Sequence, residues 1–291
     1  MNFESNDTLS NGVKIPKVGL GTWLISDDQA AEAVRQAAAI GYRHIDTAQA
    51  YGNEAGVGAG VRSCGVPREE IFVTSKVRAE YKTYEATAKS IDESLMKMGL
   101  SYIDMMIIHS PQPWVEVNQS VNRYFEENRQ VWRALEAALS SGKVRAIGVS
   151  NFLKEDIDSL WETADVKPMV NQVLCHISNT PAALIQYCQS KGIVMEAYSP
   201  VAHGEAFKNE KIKAMAEKYG VSVPQLCIRY DLQLGMIVLP KTANPEHMKA
   251  NAEVDFTILD DDMDALMNME KIKNYGEHSC FPVFGGKKKK E

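Results

Sequence analysis

The sequence lacks long apolar stretches. No apolar run among its 291 residues approaches the ~20 residues that a membrane-spanning helix needs. The first twelve residues, MNFESNDTLSNG, are polar, and they carry neither the basic start nor the apolar core of a secretion signal. We therefore expect a cytoplasmic protein with no membrane partner.

Cysteine is scarce, and its spacing suggests no pairing. The five cysteines form no CxxC pair and no metal-like pattern. An odd number of cysteines in a chain of this length is typical of reduced thiols and not of a disulfide framework. The six histidines also lack zinc spacing. We therefore expect no metal.

The chain also lacks an excess of positive charge. It has 38 acidic against 32 basic residues, which gives a formal net charge of -6. Nucleic-acid-binding domains usually carry a basic face, so we expect no nucleic-acid partner. The one dense basic run, 287–290, is interpreted as part of a disordered tail over about 285–291. A monomer is the default expectation.

Short apolar runs of strand length recur eight times. They lie at residues 18–21, 44–47, 71–76, 103–109, 144–150, 170–175, 193–199 and 236–241. Helical periodicity marks the segments that follow them, at 27–40, 54–63, 83–98, 121–141, 154–163, 181–190, 209–219 and 245–252. Several runs are rich in Val and Ile, as strands buried on both faces are. This alternation predicts a parallel sheet with helical crossovers.

The count of eight favours a closed (β/α)8 TIM barrel, which forms one domain over residues 1–291. Two helical stretches, 223–233 and 260–271, are extras outside the repeat. The dipeptide Asn11-Gly12 predicts an N-terminal β-hairpin between 8–10 and 13–15.

An open, doubly wound sheet is the rival fold. Such a sheet usually carries GxGxxG after its first strand. The nearest match, GVGAG at 56–60, has the wrong spacing and lies in a predicted helix. We interpret it as a pliable helix and not as a phosphate-binding loop.

Glycine, proline and N-cap residues indicate where the predicted helices begin and end. Glycines after five of the predicted helices are expected to be left-handed stops: Gly41, Gly99, Gly142, Gly192 and Gly220. Asp27 and Thr180 are predicted as N-caps, and Pro181 suits a first helical turn.

Barrel enzymes place their chemistry at the carboxyl ends of the strands. The polar residues at the predicted ends are Asp46, Tyr51, Lys76, His109, Ser150, Asn151, Asn171, Gln172, Glu196, Tyr198, Ser199, Lys241 and Thr242. We therefore expect an Asp, a Tyr, two Lys and a His at one barrel mouth.

This set of side chains is suited to proton transfer. A free tyrosine has a pKa of about 10 and is a poor acid at neutral pH. A nearby lysine cation lowers that pKa, and a carboxylate would hold the lysine charged. No nucleophile–base pair stands out. The chemistry indicated is protonation of a developing alkoxide, with hydride from another source.

Several long motifs resemble those of the aldo-keto reductase family. They are GYRHIDTA at 41–48 followed by YGNE at 51–54, MGLSYID at 98–104 running on to His109, GKVRAIGVSNF at 142–152, and LPKT at 239–242. They occur in the family's order, and the match runs from about residue 14 to 266.

The resemblance implies a catalytic tetrad. Tyr51 would be the general acid in reduction, and Lys76, paired with Asp46, would lower the pKa of Tyr51. His109 would orient the substrate carbonyl. The substrate pocket would contain Tyr51, His109, Trp23 and Ser110.

The same resemblance implies NADPH as the cofactor. Ser150, Asn151 and Gln172 would bind the nicotinamide carboxamide, and Tyr198 would stack on the ring. The other expected cofactor residues are Gly21, Thr22, Ser199, Val201, Lys241, Thr242, His247 and Asn251, with Lys241 and Thr242 at the adenosine-side phosphates and Asn251 at the adenine.

Two residues depart from the family pattern. Ser110 stands where many relatives have tryptophan, which predicts a roomier or more polar pocket. His247 stands where many NADPH-preferring members have arginine. Histidine is mostly neutral at pH 7, so we expect a weakened NADPH preference with NADH tolerated.

The function expected is reduction of an aldehyde or ketone to an alcohol. One alternative is a cofactor-binding regulatory or accessory subunit of the same fold. Another is a Schiff-base aldolase with Lys76 as its nucleophile. His44, His176, His203 and His278 are expected to be structural or solvated. The sequence does not name the physiological carbonyl.

Overall fold

The computed structural model describes residues 5–284. The predicted tail at 285–291 lies outside these residues. The strands are β1 (Asn6–Thr8), β2 (Lys14–Pro16), β3 (Leu20–Gly21), β4 (His44–Asp46), β5 (Phe72–Val77), β6 (Ile103–Ile108), β7 (Val144–Ser150), β8 (Val170–Leu174), β9 (Val194–Tyr198) and β10 (Ile237–Leu239).

Helices alternate with the strands from β3 onward. They are α1 (Asp27–Ile40), α2 (Glu54–Ser63), α3 (Tyr84–Met98), α4 (Phe125–Ser140), α5 (Lys154–Thr163), α6 (Ala182–Ser190), α7 (Glu210–Lys218), α8 (Val223–Gln233), α9 (Pro245–Ala252) and α10 (Asp260–Met267). Short 3-10 turns lie at Gln49–Tyr51, Arg68–Glu70, Ala202–Lys208, Gly276–Cys280 and Pro282–Phe284.

The eight strands β3 to β10 form one parallel sheet in chain order. Parallel bridges join Val18 to Val238 and Gly21 to Lys241, so the first and last strands close on each other. The Gly21 amide donates to the Pro240 carbonyl at 3.0 Å across this seam. The predicted TIM barrel is confirmed, and α8 and α10 are the two extra helices.

The predicted N-terminal hairpin is also confirmed, with shifted strands. β1 pairs with β2 in antiparallel register, from Asn6–Pro16 to Thr8–Lys14. The Leu9 amide donates to the Val13 carbonyl at 2.9 Å, which leaves a three-residue loop containing Asn11 and Gly12. The first strand therefore lies two residues earlier, and the second one residue later, than predicted.

The barrel strands are buried on both faces. All six residues of β5 and all six of β6 are buried. In β7 one residue, Arg145, is exposed, and its guanidinium pairs with the buried Asp104. Apolar side chains on both faces account for the continuous apolar runs in the sequence.

The glycines of α2 permit close helix packing. Gly56, Gly58 and Gly60 lie in a continuous helix, as predicted. A Cβ built on Gly58 would collide with the Met98 backbone of α3, and one on Gly60 would lie 2.6 Å from Val34 Cβ of α1. Their role is therefore close approach between α2 and its neighbours, and not the pliability that we expected.

Two predicted helix bounds were wrong by four residues. α4 begins at Phe125 and not at 121, since Tyr124 is left-handed (φ 57°). The Gln112 amide donates to the carbonyls of Ser120 and Asn122 at 2.9 and 2.7 Å, which fixes the preceding loop. α10 ends at Met267 and not at 271.

The predicted N-caps were each misplaced by one residue. Ser26 occupies the N-cap of α1, while the Asp27 carboxylate accepts the Gly56 amide at 2.7 Å in the first turn of α2. Pro181 occupies the N-cap of α6, and the Thr180 hydroxyl pairs with Tyr230 Oη at 2.6 Å. The five predicted glycine stops all have positive φ.

No helix between residues 5 and 284 combines the length and the apolar character that a membrane crossing needs.

The packing of α2 predicts an unusual response to alanine. Gly to Ala in a helix normally stabilises by about 1 kcal/mol. We expect Gly58→Ala to lower the free energy of unfolding by about 1–3 kcal/mol instead, because the new methyl overpacks the Met98 backbone. Chemical denaturation measures this change. The control is Ala55→Gly at an exposed position of α2, with an expected loss of about 1 kcal/mol. Unchanged or increased stability of Gly58→Ala would contradict this packing.

Candidate active site

A cavity of about 470 Å³ opens at the carboxyl ends of the barrel strands. Its wall combines strand-end residues, aromatic loop residues and the last described part of the chain. The lining residues are Gly21, Trp23, Leu24, Asp46, Ala50, Tyr51, His109, Trp114, Ser150, Asn151, Gln172, Tyr198, Ser199, Pro200, Val201, His203, Leu239, Lys241, His278, Phe281, Pro282, Val283 and Phe284. The position agrees with the rule for barrel enzymes.

A buried ion pair lies beneath the cavity. Lys76 is fully buried, and its Nζ donates to Asp46 Oδ1 at 2.5 Å and to the Thr47 carbonyl at 2.9 Å. The same Nζ lies 3.3 Å from Tyr51 Oη. One ammonium group thus links the carboxylate to the phenol.

The backbone around Tyr51 is fixed by polar side chains. Tyr51 ends the turn Gln49–Tyr51, and Gly52 follows it in a left-handed conformation (φ 72°). The Gln49 amide donates to the Ser90 carbonyl at 3.1 Å. The Asn53 amide donates to the Thr22 carbonyl at 2.9 Å, so the turn is anchored on both sides.

His109 follows β6 directly and faces the same cavity. Its ring centroid lies 5.6 Å from that of Tyr51 and 4.9 Å from that of Trp114. Within residues 5–284, its buried Nδ1 has no hydrogen-bond partner. Burial, with a further contribution from Lys76, holds the pKa of His109 well below its usual value. The imidazole is therefore neutral at pH 7 and can act as a hydrogen-bond donor.

Lys76 acts on the pKa of Tyr51 in the predicted direction, but burial outweighs it. Burial raises the pKa of Tyr51, and the Lys76 ammonium opposes this rise without cancelling it. Burial lowers the pKa of Lys76, but Asp46 and Tyr51 outweigh that effect, so the net shift is upward. Lys76 therefore stays charged, and Tyr51 keeps its proton at neutral pH in the protein without cofactor.

A hydrogen-bonded group of strand-end side chains lies beside the tetrad. Tyr198 Oη donates to Asn151 Oδ1 at 2.7 Å. The Asn151 amide donates to the His109 carbonyl at 3.0 Å, and Ser150 Oγ donates to the Gln172 carbonyl at 2.8 Å. Ser150, Asn151, Gln172 and Tyr198, all expected to bind the nicotinamide, therefore share one wall of the cavity.

Glu196, for which the sequence identified no partner, is paired with Gln172. The Gln172 amide nitrogen donates to Glu196 Oε2 at 2.8 Å and to Asp46 Oδ2 at 2.9 Å. Glu196 is fully buried, and its Oε1 has no partner within the described residues. Burial raises the pKa of Glu196 to about 8. Asn171 belongs to the opposite face of β8 and binds the Phe152 carbonyl at 3.0 Å.

The other expected cofactor residues fall into two groups. Gly21, Ser199, Val201 and Lys241 line the cavity, whereas Thr22, Thr242, His247 and Asn251 do not. The Thr22 hydroxyl donates to the Asp46 carbonyl at 2.8 Å beneath the mouth. His247 is exposed in the first turn of α9, and Asn251 is buried on the same helix.

The predicted substrate residues divide in the same way. Trp23, Tyr51 and His109 line the cavity, but Ser110 is fully buried and lines a smaller neighbouring cavity. An aromatic wall is supplied instead by Trp114, four residues further along the same loop. The expectation of a roomier or more polar pocket therefore stays a prediction, and Trp114 was missed because no motif marks this loop.

Two histidines lie at the cavity although no motif marked them. His203 and His278 were expected to be structural or solvated and not catalytic, which stays a prediction; both line the cavity, with stacked rings 4.2 Å apart. Their residues, 75 apart in sequence, meet only through the fold. His44 and His176 are structural as expected, since His44 Nε2 pairs with Thr74 Oγ1 at 3.0 Å and His176 Nε2 with Tyr275 Oη at 3.0 Å.

Known proteins share both this sequence and this fold. The family model described as Aldo/keto reductase family matches residues 17–271. A glyoxal reductase from Bacillus subtilis (strain 168) is 40% identical over 270 residues, which cover 92% of this chain and 94% of the relative.

Solved structures give the same result. An aldo/keto reductase from Brucella melitensis has a TM-score of 0.83 at 37% identity, covering 90% of this chain and 97% of that one. An aldo-keto reductase from Bombyx mori, solved in complex with NADP, has a TM-score of 0.82 at 31% identity, covering 94% of this chain and 95% of that one. With a strand-end cavity, a matching family model over most of its length and relatives at this identity, the chain belongs to the aldo-keto reductase family.

Proposed function

We propose that this protein is an NADPH-dependent reductase that converts an aldehyde or ketone to an alcohol, with Tyr51 as the proton donor. The observation that carries the proposal is the contact of the Lys76 ammonium with both Asp46 and Tyr51 beneath the cavity. A protonated phenol beside a fixed cation is the arrangement that general-acid chemistry requires.

The residues of the chain have separate tasks. Tyr51 donates its phenolic proton to the carbonyl oxygen as the alcohol forms, and takes it back in oxidation. Lys76 stabilises the phenolate that remains, because its positive charge lies 3.3 Å from the oxygen. The neutral His109 ring is on the same wall as Tyr51, where it orients the carbonyl by hydrogen bonding.

The donor set of the cavity fits a nicotinamide dinucleotide, which supplies the hydride when bound. The Ser150 hydroxyl and the amides of Asn151 and Gln172 suit a carboxamide, and the Tyr198 ring offers a stacking face. At the other end, Lys241 lies before α9, whose N-terminus carries the positive end of the helix dipole. The Bombyx mori relative, solved in complex with NADP, supports this assignment.

Aromatic side chains surround the reacting end of the cavity. Trp23 packs edge-on against Phe281 at 4.9 Å between ring centroids, and Trp114 packs edge-on against His109. Such walls exclude water from the proton donor and favour carbonyl compounds with apolar parts.

The two alternatives lack a specific observation in their favour. A Schiff-base aldolase needs a neutral lysine, but Lys76 has a raised pKa and three hydrogen-bond partners. A regulatory or accessory subunit needs no proton donor, and the tetrad geometry here is complete. The reductase is therefore the proposal that we test.

Removal of one hydroxyl tests the role of Tyr51. We expect Tyr51→Phe to lower kcat for reduction by about 10²–10⁴-fold, because the proton donor is lost. NADPH affinity should stay within about twofold, since the Tyr198 stack and the carboxamide partners are untouched. Steady-state assays on a carbonyl panel that includes glyoxal, with fluorescence titration of NADPH, measure both quantities.

The control for this experiment is Tyr84→Phe on α3, an exposed tyrosine that does not line the cavity. It should leave kcat unchanged. Full activity of Tyr51→Phe would overturn the proposed mechanism.

A second variant tests cofactor preference. We expect the wild type to prefer NADPH over NADH modestly, because the exposed His247 lacks the permanent charge and the bidentate fork with which an arginine would bind a 2′-phosphate. His247→Arg should lower the KM for NADPH about five- to tenfold through a permanent charge on the 2′-phosphate. NADH, which lacks that phosphate, is the internal control and should be unaffected. Equal or better wild-type efficiency with NADH would contradict the proposed preference.

A further inference from the structure

A polar chain continues behind the tetrad into the barrel interior. Lys76 Nζ contacts Tyr51 Oη and Asp46 Oδ1, and Asp46 Oδ2 accepts from the Gln172 amide at 2.9 Å. The same amide nitrogen donates to Glu196 Oε2 at 2.8 Å. The chain of contacts therefore ends on a fully buried carboxyl group that proton transfer by the tetrad does not use.

The two carboxyl partners fix the orientation of the Gln172 amide. The Asp46 carboxylate forms a salt bridge with Lys76, and carboxylate oxygens only accept hydrogen bonds, so the amide atom 2.9 Å from Asp46 Oδ2 must be the nitrogen. The two N–H groups of that nitrogen are directed at Asp46 and Glu196. Gln172 Oε1, which accepts no hydrogen bond from residues 5–284, is then the one amide atom left for a ligand in the cavity that Gln172 lines.

We propose that Glu196 is a positioning residue of this reductase: by taking the second N–H of Gln172, it keeps the amide oxygen available to the amino group of the nicotinamide carboxamide. This inference rests on the proposed binding of NADPH. Glu196 acts through Gln172 and contacts neither the substrate nor the cofactor.

The strand register supports this role. Gln172 of β8 and Glu196 of β9 are direct partners in the parallel ladder, so their backbones are held at a fixed separation. Without an acceptor at position 196, the second N–H would be buried and unpaired. The amide could then satisfy it by rotating toward the cavity, where it would present a donor in place of the acceptor.

Glu196 also adds little negative charge to the site at pH 7. Burial raises the pKa of Glu196 to about 8, with Asp46 adding to the rise and Lys76 opposing it. Asp46 and Lys76 are the charged groups that act on the Glu196 carboxyl. The partners of Glu196 in the two neighbouring strands are the neutral Gln172 and the apolar Ile237. At pH 7 the interior therefore carries the Asp46–Lys76 pair and a mostly neutral Glu196.

A cofactor analogue tests the inference. The 3-acetylpyridine analogue of NADP⁺ keeps the carbonyl but lacks the amino group that Gln172 Oε1 would accept. In the wild type we expect the analogue to bind about tenfold more weakly than NADP⁺, a loss of one hydrogen bond. In Glu196→Met, NADP⁺ affinity should fall to near that of the analogue, so the difference disappears. Protein-fluorescence titration measures both Kd values.

Two further variants make the result interpretable. Glu196→Gln keeps an oxygen acceptor and should keep the difference between NADP⁺ and the analogue. Met195→Leu, at the buried neighbouring position of β9, controls for repacking of the strand and should also keep it. Loss of the difference in Glu196→Met alone supports the inference.

Failure of the positioning role and failure of the proposed function give different results. An unchanged difference in Glu196→Met would refute the positioning role and leave the proposed function standing. Absence of NADP⁺ binding by the wild type would refute the proposed function itself.

The titration of Glu196 gives a readout that needs no cofactor. Its pKa in the folded protein is about 8, above the unfolded value of about 4.3, so the native state holds a proton that the unfolded state releases. Wild-type stability should therefore fall as the pH rises from about 4.3 to 8. Glu196→Gln lacks this group, so its Tm relative to wild type should increase over that range and level off above it. A Tm difference that is constant with pH would show that the pKa of Glu196 is not raised in the folded protein.

Discussion

The buried contact between Lys76 and Asp46 is the interaction on which the rest of the site depends. An ammonium group with no solvent exposure must be paired, because an isolated buried charge is very unfavourable. Asp46 ends β4 and Lys76 is in β5, so neighbouring strands supply the pair. The same charge then acts on Tyr51, whose turn is fixed by Gln49 and Asn53.

Much of the fold follows from local pattern. The eight apolar runs predicted the barrel because parallel strands such as β5 and β6 are buried on both faces. The ends of elements were less predictable, since they depend on distant partners. Asp27 looks like an N-cap in sequence but binds Gly56 of the next helix, and this contact is visible only in three dimensions.

In the site, too, some features follow from local sequence pattern and others depend on distant contacts. The grouping of Asp46, Tyr51, Lys76 and His109 could be predicted because each lies at or shortly after the carboxyl end of a strand, and the barrel brings those ends together. The aromatic wall of the cavity could not be predicted, because Trp114 and the His203–His278 stack lie in loops that show no helical or strand periodicity. The sequence indicated that a buried Glu196 needs a hydrogen-bond partner but did not identify it. The partner is Gln172 on the adjacent strand.

The chemistry proposed for this site requires that the charge of Lys76 lower the pKa of Tyr51 against the effect of burial. The most direct measurement is the ¹³C NMR titration of Tyr51 in protein labelled at tyrosine Cζ, comparing the wild type with Lys76→Met. We expect a higher pKa of Tyr51 in the variant, because burial then acts without the opposing cation. An unchanged or lower pKa of Tyr51 in a folded Lys76→Met protein would contradict it.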